Sequence, residues 1–261
     1  MVHIFPCARV QRLLRGHAVV EYGSLKVCGR HEGSSQMKVD PAEIDHFRKT
    51  VLSWGRKNLR TYSWRNGLLD PFGVLIAEVL LVRTRADAVE KVVLEFVGEF
   101  GEAESLSNAN IKSVELLLRP LGLHRKRAKA LVQMARVLLK DHGGLVPQEL
   151  DSLLALPYVG RYTANAALCF AFGERRAIVD ANIARLMERY FGLAPPVGKL
   201  DENDLYWDLA SQLLPYNHIK TYNWALLDLG GLICVKHKPL CSVCPFSEDC
   251  VAHNRGNKKT R

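Results

Sequence analysis

Two acidic residues in this chain lie where a carboxylate could take part in catalysis. Glu78 is the lone acid in an apolar segment with helical spacing, and Asp180 precedes the good helix start Ala181–Arg185. A fixed carboxylate can donate a proton or stabilise a positive charge that develops on a substrate. Each residue also has a purely structural interpretation. Glu78 could form a salt bridge with a nearby Arg, since an acid on an apolar face needs a partner, and Asp180 could simply cap its helix.

A short turn and a basic composition indicate a polyanionic partner. Leu156-Pro157-Tyr158-Val159-Gly160 lies between two helical patterns, so that backbone N–H groups at the start of the second helix could bind phosphate. An ordinary helix–helix turn is the alternative. The chain has 36 Lys plus Arg against 27 Asp plus Glu, a formal charge of +9, which favours nucleic acid by steering and counterion release. Arg125 and Lys126 lie in a basic run, although a solvated helix face explains that run equally well.

Four of the seven cysteines are close together near the end of the chain, at Cys234, Cys241, Cys244 and Cys250. An odd number of unevenly placed cysteines is not typical of a secreted disulfide scaffold. The other three are scattered along the chain. Cys169 is the one of these that lies in an apolar helical segment, where we expect a core residue.

The elements that position these residues are predicted to be helices. Asp40-Pro41-Ala42-Glu43 combines an N-cap, a proline in the first turn and an acid three residues after the cap. Alternation with a period of two is nowhere sustained, so we expect an all-α fold. Beyond residue 100, the 3.6-residue periodicity predicts helices at about 108–118, 125–141, 149–155, 161–172, 181–191, 202–213 and 219–231.

Length and composition limit the class of protein. With 261 residues, 48% of them hydrophobic, the chain can form one or two globular domains. No apolar run approaches the roughly 20 residues of a membrane span, and the N-terminus lacks a signal-peptide core. We therefore expect a cytoplasmic, nucleoid-associated protein. Residues 1–37 are predicted to be a flexible basic extension, and Met37 is a second candidate for the start of the chain.

Three motifs in this order resemble one family. Leu156 to Ala164, Ile178 to Arg185 and the four clustered cysteines are similar to the helix-hairpin-helix DNA glycosylases with an iron–sulfur cluster, the endonuclease III superfamily. The resemblance runs from about Phe47 to Cys250. It implies a six-helix domain with the hairpin at 68–178, a second helical domain at 38–67 plus 179–261, and an active site in the cleft between them. The family uses the spacing C-x6-C-x2-C-x5-C for a [4Fe–4S] cluster, so the resemblance also implies such a cluster in the loop 234–250, with zinc as the alternative.

The resemblance also implies roles for single residues. Asp180 takes the position of the catalytic aspartate, which stabilises the sugar cation, and Glu78 that of an acid in the base pocket. Tyr162 takes the position that distinguishes the chemistries of the superfamily. A lysine there occurs in strand-cleaving enzymes, a serine in adenine glycosylases and a tyrosine in thymine mismatch glycosylases. With no amine at residue 162, we expect water as the nucleophile. A tyrosine that only packs on its helix is the structural alternative.

The DNA contacts implied by the resemblance are Arg83, which fills the space of the flipped base, and Thr84 beside it, with Val159, Gly160, Arg161, Arg125 and Lys126. Tyr158 departs from the family pattern, since it replaces a glycine. If that position needs a positive φ, the tyrosine costs about 1 kcal/mol.

The sequence therefore predicts a monofunctional, monomeric glycosylase that removes thymine or uracil opposite guanine. Its partner is double-stranded DNA with a mismatched or deaminated base, and we expect no membrane association. An adenine glycosylase of the MutY type is the first alternative. It is favoured by Glu78, and disfavoured by Tyr162 and by the absence from this sequence of the further C-terminal domain usual in that type. A non-catalytic DNA-binding iron–sulfur protein is the second alternative.

Overall fold

The structure is a computed structural model that describes residues 11–13, 17–22, 25–29 and 38–258. Twelve α-helices lie in this part of the chain: α1 Pro41–Asn58, α2 Pro71–Leu81, α3 Ala86–Phe100, α4 Ala103–Ser107, α5 Ile111–Leu118, α6 His124–His142, α7 Leu150–Leu154, α8 Arg161–Phe172, α9 Ala181–Phe191, α10 Asp204–Leu213, α11 Ile219–Leu232 and α12 Val251–Lys258. The fold is all-α, as the helical periodicity predicts. None of the described helices is long and apolar enough to cross a membrane.

A small sheet near the N-terminus is the exception to the helical fold. Strands β1 Gln11–Leu13, β2 His17–Tyr22 and β3 Leu25–Gly29 pair antiparallel in the order β1-β2-β3. The periodicity of the sequence does not indicate these strands, which are three to six residues long and show no sustained alternation. The prediction of a flexible extension over 1–37 otherwise falls outside the described residues.

The chain divides into two compact units. The first combines residues 1–59 with 177–261, and the second is the continuous segment 60–176. Each unit has its own cluster of buried apolar side chains, as expected for separately packed domains.

The core of the unit 60–176 is formed by α2 to α8. Helix α2 is buried along nine consecutive residues, Phe72 to Leu80, and it packs against α8. Asp70 caps α2, because its side chain accepts a hydrogen bond from Gly73 N at 2.8 Å, and Pro71 occupies the first turn. A helix buried on all sides leaves its one acidic residue, Glu78, inside the unit.

This unit begins before the boundary at residue 68 that the sequence analysis predicts. Tyr62 and Trp64 stack with ring centroids 4.6 Å apart, and both belong to the buried core of the unit. The Tyr62 hydroxyl donates to the Asp87 carboxylate at 2.7 Å, and Ser63 donates to Glu90. The loop-like segment that contains Tyr62 and Ser63 thus belongs to this unit, because Asp87 and Glu90 on α3 accept its hydrogen bonds.

The other unit contains α1 and α9 to α12. Phe47 on α1 packs its ring against Tyr190, Phe191 and Phe246. Helix α1 lies close to α11 at Gly55, where an added Cβ would lie 2.7 Å from the Cβ of Ala225. The same core includes Cys234, so it extends to the first cysteine of the C-terminal cluster.

Candidate active site and cluster loop

Glu78 and Tyr162 meet in the unit 60–176. The Tyr162 hydroxyl, on the first turn of α8, donates to the Glu78 carboxylate on α2 at 3.1 Å. Glu78 is 1% exposed, and Tyr162 is half-buried. The contact joins residues 84 positions apart in the chain and depends on the packing of α2 against α8. A buried carboxylate held by a hydroxyl could bind a polar group of a substrate base.

The hairpin between α7 and α8 exposes its central residue. Leu156 and Val159 are buried, whereas Tyr158 is 52% exposed and has a φ of 66°. The position therefore does require the left-handed conformation in which an L-residue is strained. Gly160 is the N-cap of α8 with no side-chain cap, and Arg161 is its first helical residue. Uncapped N–H groups at such a helix start can bind an anion.

Val159 anchors this hairpin instead of pointing outwards. Its side chain belongs to the core of the unit, and its N–H donates to Leu156 O at 3.3 Å. Val159 is one of the DNA contacts that the resemblance implies. The buried side chain and this hydrogen bond hold the turn closed, and the DNA contact at Val159 stays a prediction.

The turn after α2 carries Arg83, the residue predicted to fill the space that the flipped base leaves in the DNA. Arg83 is exposed and has a φ of 58°, and Thr84 N donates to Leu81 O at 3.0 Å. The Thr84 side chain accepts a short hydrogen bond from Arg127.

Arg125 and Lys126 are exposed on the first turn of α6, whereas Arg127 is buried. Sequence reasoning missed Arg127, although its position was informative, because it lies at helical spacing from the buried Leu131, Met134 and Leu138.

Asp180 lies in the other unit, at the start of α9. Its Oδ1 accepts from the backbone N–H groups of Asn182 at 2.9 Å and Ile183 at 2.7 Å, and its Oδ2 accepts from Asn182 Nδ2 at 2.8 Å. The predicted N-cap is therefore present. Burial raises the pKa of Asp180 above its ordinary value, while these hydrogen bonds and the charge of Arg185 oppose the rise. The carboxylate is fixed in orientation by the backbone of its own helix.

Hydrogen bonds continue from Asp180 to the cysteine loop. Arg185 donates to Asn182 Oδ1 at 2.9 Å, to Gly230 O at 2.7 Å and to Cys234 O at 2.8 Å. One turn further along α9, Arg189 donates to Val235 O at 2.8 Å and contacts Cys234 Sγ at 3.4 Å. The helix that begins at Asp180 thus also holds the first part of the loop 234–250.

The four clustered cysteines line one cavity of about 250 Å³, together with mainly apolar side chains. In the described part of the chain no three His, Cys, Asp or Glu side chains are grouped so that they could hold a metal ion. A zinc ion would need its sulfur ligands at about 2.3 Å from one centre. A [4Fe–4S] cluster is larger and takes one thiolate on each iron. The donor set and the cavity therefore fit such a cluster better than a single ion.

Burial also affects the thiols of this cavity. It raises the pKa of Cys244 and of Cys250, and the neighbouring cysteines add to the rise by mutual repulsion. Four thiolates in so small an apolar cavity would repel one another without a cation between them. Without such a cation, the raised pKa values keep these two thiols protonated.

Comparison with known proteins identifies the class. Residues 76–205 match the HhH-GPD superfamily base excision DNA repair protein family. A thymine/uracil-DNA glycosylase of Methanothermobacter thermautotrophicus is 35% identical over 204 residues, which are 78% of this chain and 91% of that protein. The structure of a thermostable thymine-DNA glycosylase superposes with a TM-score of 0.77 at 33% identity, over 82% of this chain and 98% of that one. The chain belongs to the HhH-GPD superfamily of base excision DNA repair proteins.

Within this superfamily the protein is a DNA glycosylase, an enzyme that binds DNA and hydrolyses an N-glycosidic bond. Adenine DNA glycosylases are also similar to it. The human one is 32% identical over 225 residues, which cover 83% of this chain but 41% of that protein. A thymine-DNA glycosylase of Aeropyrum pernix is likewise 32% identical, over 83% of this chain and 98% of that protein.

Proposed function

We propose that the protein is a monofunctional, monomeric mismatch glycosylase that removes thymine or uracil opposite guanine. The hydrogen bond from Tyr162 to Glu78 carries the proposal, because it puts a phenol and a carboxylate, and no amine, at the position where strand-cleaving relatives use a lysine. The similarity to thymine/uracil-DNA glycosylases over nearly their whole length supports this substrate class.

Asp180 is the proposed electrostatic catalyst. As the bond between the base and C1′ breaks, positive charge develops on the sugar, and a carboxylate fixed by two backbone N–H groups stabilises that charge. Water then adds to C1′ and loses a proton, while the base leaves with the bonding electrons and is protonated. Burial raises the pKa of Asp180 because the carboxylate is poorly solvated, and the same poor solvation strengthens the interaction of the ionised form with a cation.

Glu78 and Tyr162 are the proposed base-pocket residues. A flipped pyrimidine presents carbonyl and N–H groups, which a hydroxyl and a carboxylate can bind. The hairpin at Gly160 and Arg161 would bind the phosphate backbone without reading the sequence. Arg125 and Lys126 would add phosphate contacts, and Arg83 would occupy the gap that the extruded base leaves.

Cys234, Cys241, Cys244 and Cys250 are the proposed ligands of a [4Fe–4S] cluster. When bound, the cluster would fix the loop 234–250, which exposes Lys236, His237 and Lys238. Absorbance at about 400 nm that bleaches on oxidation would support iron–sulfur. Stoichiometric zinc without that absorbance would overturn the proposal.

The substrate is tested with end-labelled duplexes that contain T·G, U·G, A·G or A·8-oxoguanine. We expect base release from T·G and U·G, with strand breaks only after treatment with alkali. Breaks without alkali would contradict a monofunctional enzyme. Cleavage restricted to the adenine strands would support the alternative, an adenine glycosylase, which Glu78 and the similarity to the human adenine enzyme favour.

A further inference from the structure

Arg127 on α6 is a buried cation, and within the described part of the chain its hydrogen bonds go to uncharged oxygens. It is 8% exposed. Nη1 donates to Leu121 O at 3.1 Å and to Gly122 O at 3.3 Å. Nη2 donates to Val82 O at 3.0 Å and to Thr84 Oγ1. Burial lowers the pKa of the guanidinium, which nevertheless stays protonated at neutral pH.

The four acceptors belong to two turns that are far apart in the chain. One turn follows α2 and carries Arg83, and the other precedes α6 and carries Leu123. Both of these residues are exposed, and both have a left-handed backbone, with φ of 58° and 50°. One guanidinium thus connects two strained turns whose central side chains point to solvent.

Such an arrangement lowers the stability of the folded protein, so stability alone does not explain it. Burying a charge without an opposite charge is unfavourable, and left-handed backbone at residues other than glycine adds strain. Strained residues that the surrounding structure holds in place are typical of sites where a shape must exist before the ligand binds. A planar guanidinium can bind both turns at once, which a lysine ammonium cannot do in the same geometry.

We propose that Arg127 is a positioning residue that holds the Arg83 turn in the shape needed to fill the gap left by the extruded base. The inference rests on the proposed function, because that turn matters only if a base leaves the duplex. Arg127 itself contacts neither DNA nor base in this role. Its effect is to keep the Arg83 turn preorganised through Val82 O and Thr84 Oγ1.

The test compares two substrates under single-turnover conditions. In one duplex uracil is paired with guanine, and in the other the same uracil lies opposite an abasic site. Extrusion of the uracil from the second duplex breaks no base pair and disrupts little base stacking. Arg127→Met removes all four hydrogen bonds and keeps the length of the side chain. We expect it to slow base release from the U·G duplex by about tenfold, the equivalent of about 1.4 kcal/mol, and to change the rate opposite the abasic site by less than about twofold.

Arg136→Met is the matched control. Arg136 lies on the same helix, and its Nε donates to Ser107 O at 3.2 Å, so this variant also loses a bond from an arginine to a backbone carbonyl. We expect it to leave both rates unchanged. Arg127→Lys should give an intermediate loss confined to the U·G duplex, and it serves as the test variant if Arg127→Met does not fold.

The outcomes separate this inference from the proposed function. An equal loss of rate on both substrates would make Arg127 a merely structural residue and overturn the inference, as would no loss on either. Both outcomes would leave the proposed function intact. A wild-type protein that releases neither thymine nor uracil from any duplex would overturn the proposed function and the inference together.

Discussion

Glu78 and Asp180 are two carboxylates held in opposite ways. Asp180 is oriented by the backbone N–H groups two and three residues further along its own helix. Glu78 is buried in the middle of an apolar helix and contacts a tyrosine 84 residues away. The orientation of Asp180 is thus a local property of the helix start. The environment of Glu78 exists only when α2 packs against α8.

The difference indicates how each residue should respond to substitution. A helix cap tolerates replacement of a carboxylate by an amide, because either side chain accepts hydrogen bonds from the backbone. A buried acid in a packed unit depends on partners that a substitution can remove.

Asp180→Asn should abolish most base release while the fold persists. The amide oxygen can still accept from Asn182 N and Ile183 N, but it provides no negative charge for the sugar cation. We expect a single-turnover rate lower by about 100-fold or more, with a melting temperature equal to or above that of the wild type. Asp40→Asn is the control, since Asp40 caps α1 through Ala42 N at 2.7 Å. Undiminished base release in Asp180→Asn would remove the enzyme assignment from this site.

Glu78→Gln should lower the rate by about 100-fold if Glu78 takes part in proton transfer to the base. The side chain keeps an oxygen that can accept from the Tyr162 hydroxyl, so the packing of α2 against α8 should survive. Circular dichroism and the rate of base release from T·G and U·G duplexes measure the two effects. Glu90→Gln, which alters the acceptor of Ser63, is the matched control in the same unit. A rate equal to that of the wild type would leave Glu78 with a structural role.

The pH dependence of the wild type should show Asp180 acting as an anion. Burial raises its pKa, so the rate should fall with decreasing pH from a point above the usual value of about 3.9. The contribution of Asp180 to folding stability should change with pH in the opposite direction to the rate. The folded state binds the proton more tightly than the unfolded state, so the contribution is favourable at low pH and is lost as pH rises towards the raised pKa. This pH-dependent contribution to folding stability should be absent from the Asp180→Asn variant.

Tyr162→Phe should have a smaller effect, mainly on the unit 60–176. The buried Glu78 carboxylate loses a hydrogen bond, which costs about 1–3 kcal/mol. We expect a lower melting temperature and a loss of rate smaller than that of Glu78→Gln. If the melting temperature does not change, the hydroxyl is not important for the stability of Glu78 in its buried position.

Tyr158→Gly should stabilise the protein by about 1 kcal/mol, because glycine adopts a positive φ without strain. This is the smallest expected effect, and the variant tests whether the left-handed backbone of Tyr158 is strained. Chemical denaturation measures it. Tyr216→Gly, which removes another exposed tyrosine from a position not in the left-handed region, is the control and should not stabilise.

Much of the helical framework could be predicted from local sequence. The expected helices at 161–172 and 181–191 agree with α8 and α9, because periodicity and the flanking glycines and aspartate mark their ends. The Asp40 cap and the Asp180 cap were also predictable, since a cap needs only the residues that follow it. The strands of residues 11–29 were missed because they are short, and the start of the second unit at residue 60 was missed because Tyr62 and Trp64 find their partners on α3.

By itself, the sequence determined the helical class, the position of Asp180 at a helix start and the grouping of the four cysteines. These are patterns of neighbours within a few residues, where backbone geometry decides the outcome. Only the tertiary structure decided that Tyr162 contacts Glu78, that Tyr158 adopts a left-handed conformation, and that Arg127 connects the turns at 82–84 and 121–122. Those contacts join distant segments, and they exist because the packing of α2, α6 and α8 brings specific side chains within hydrogen-bonding distance.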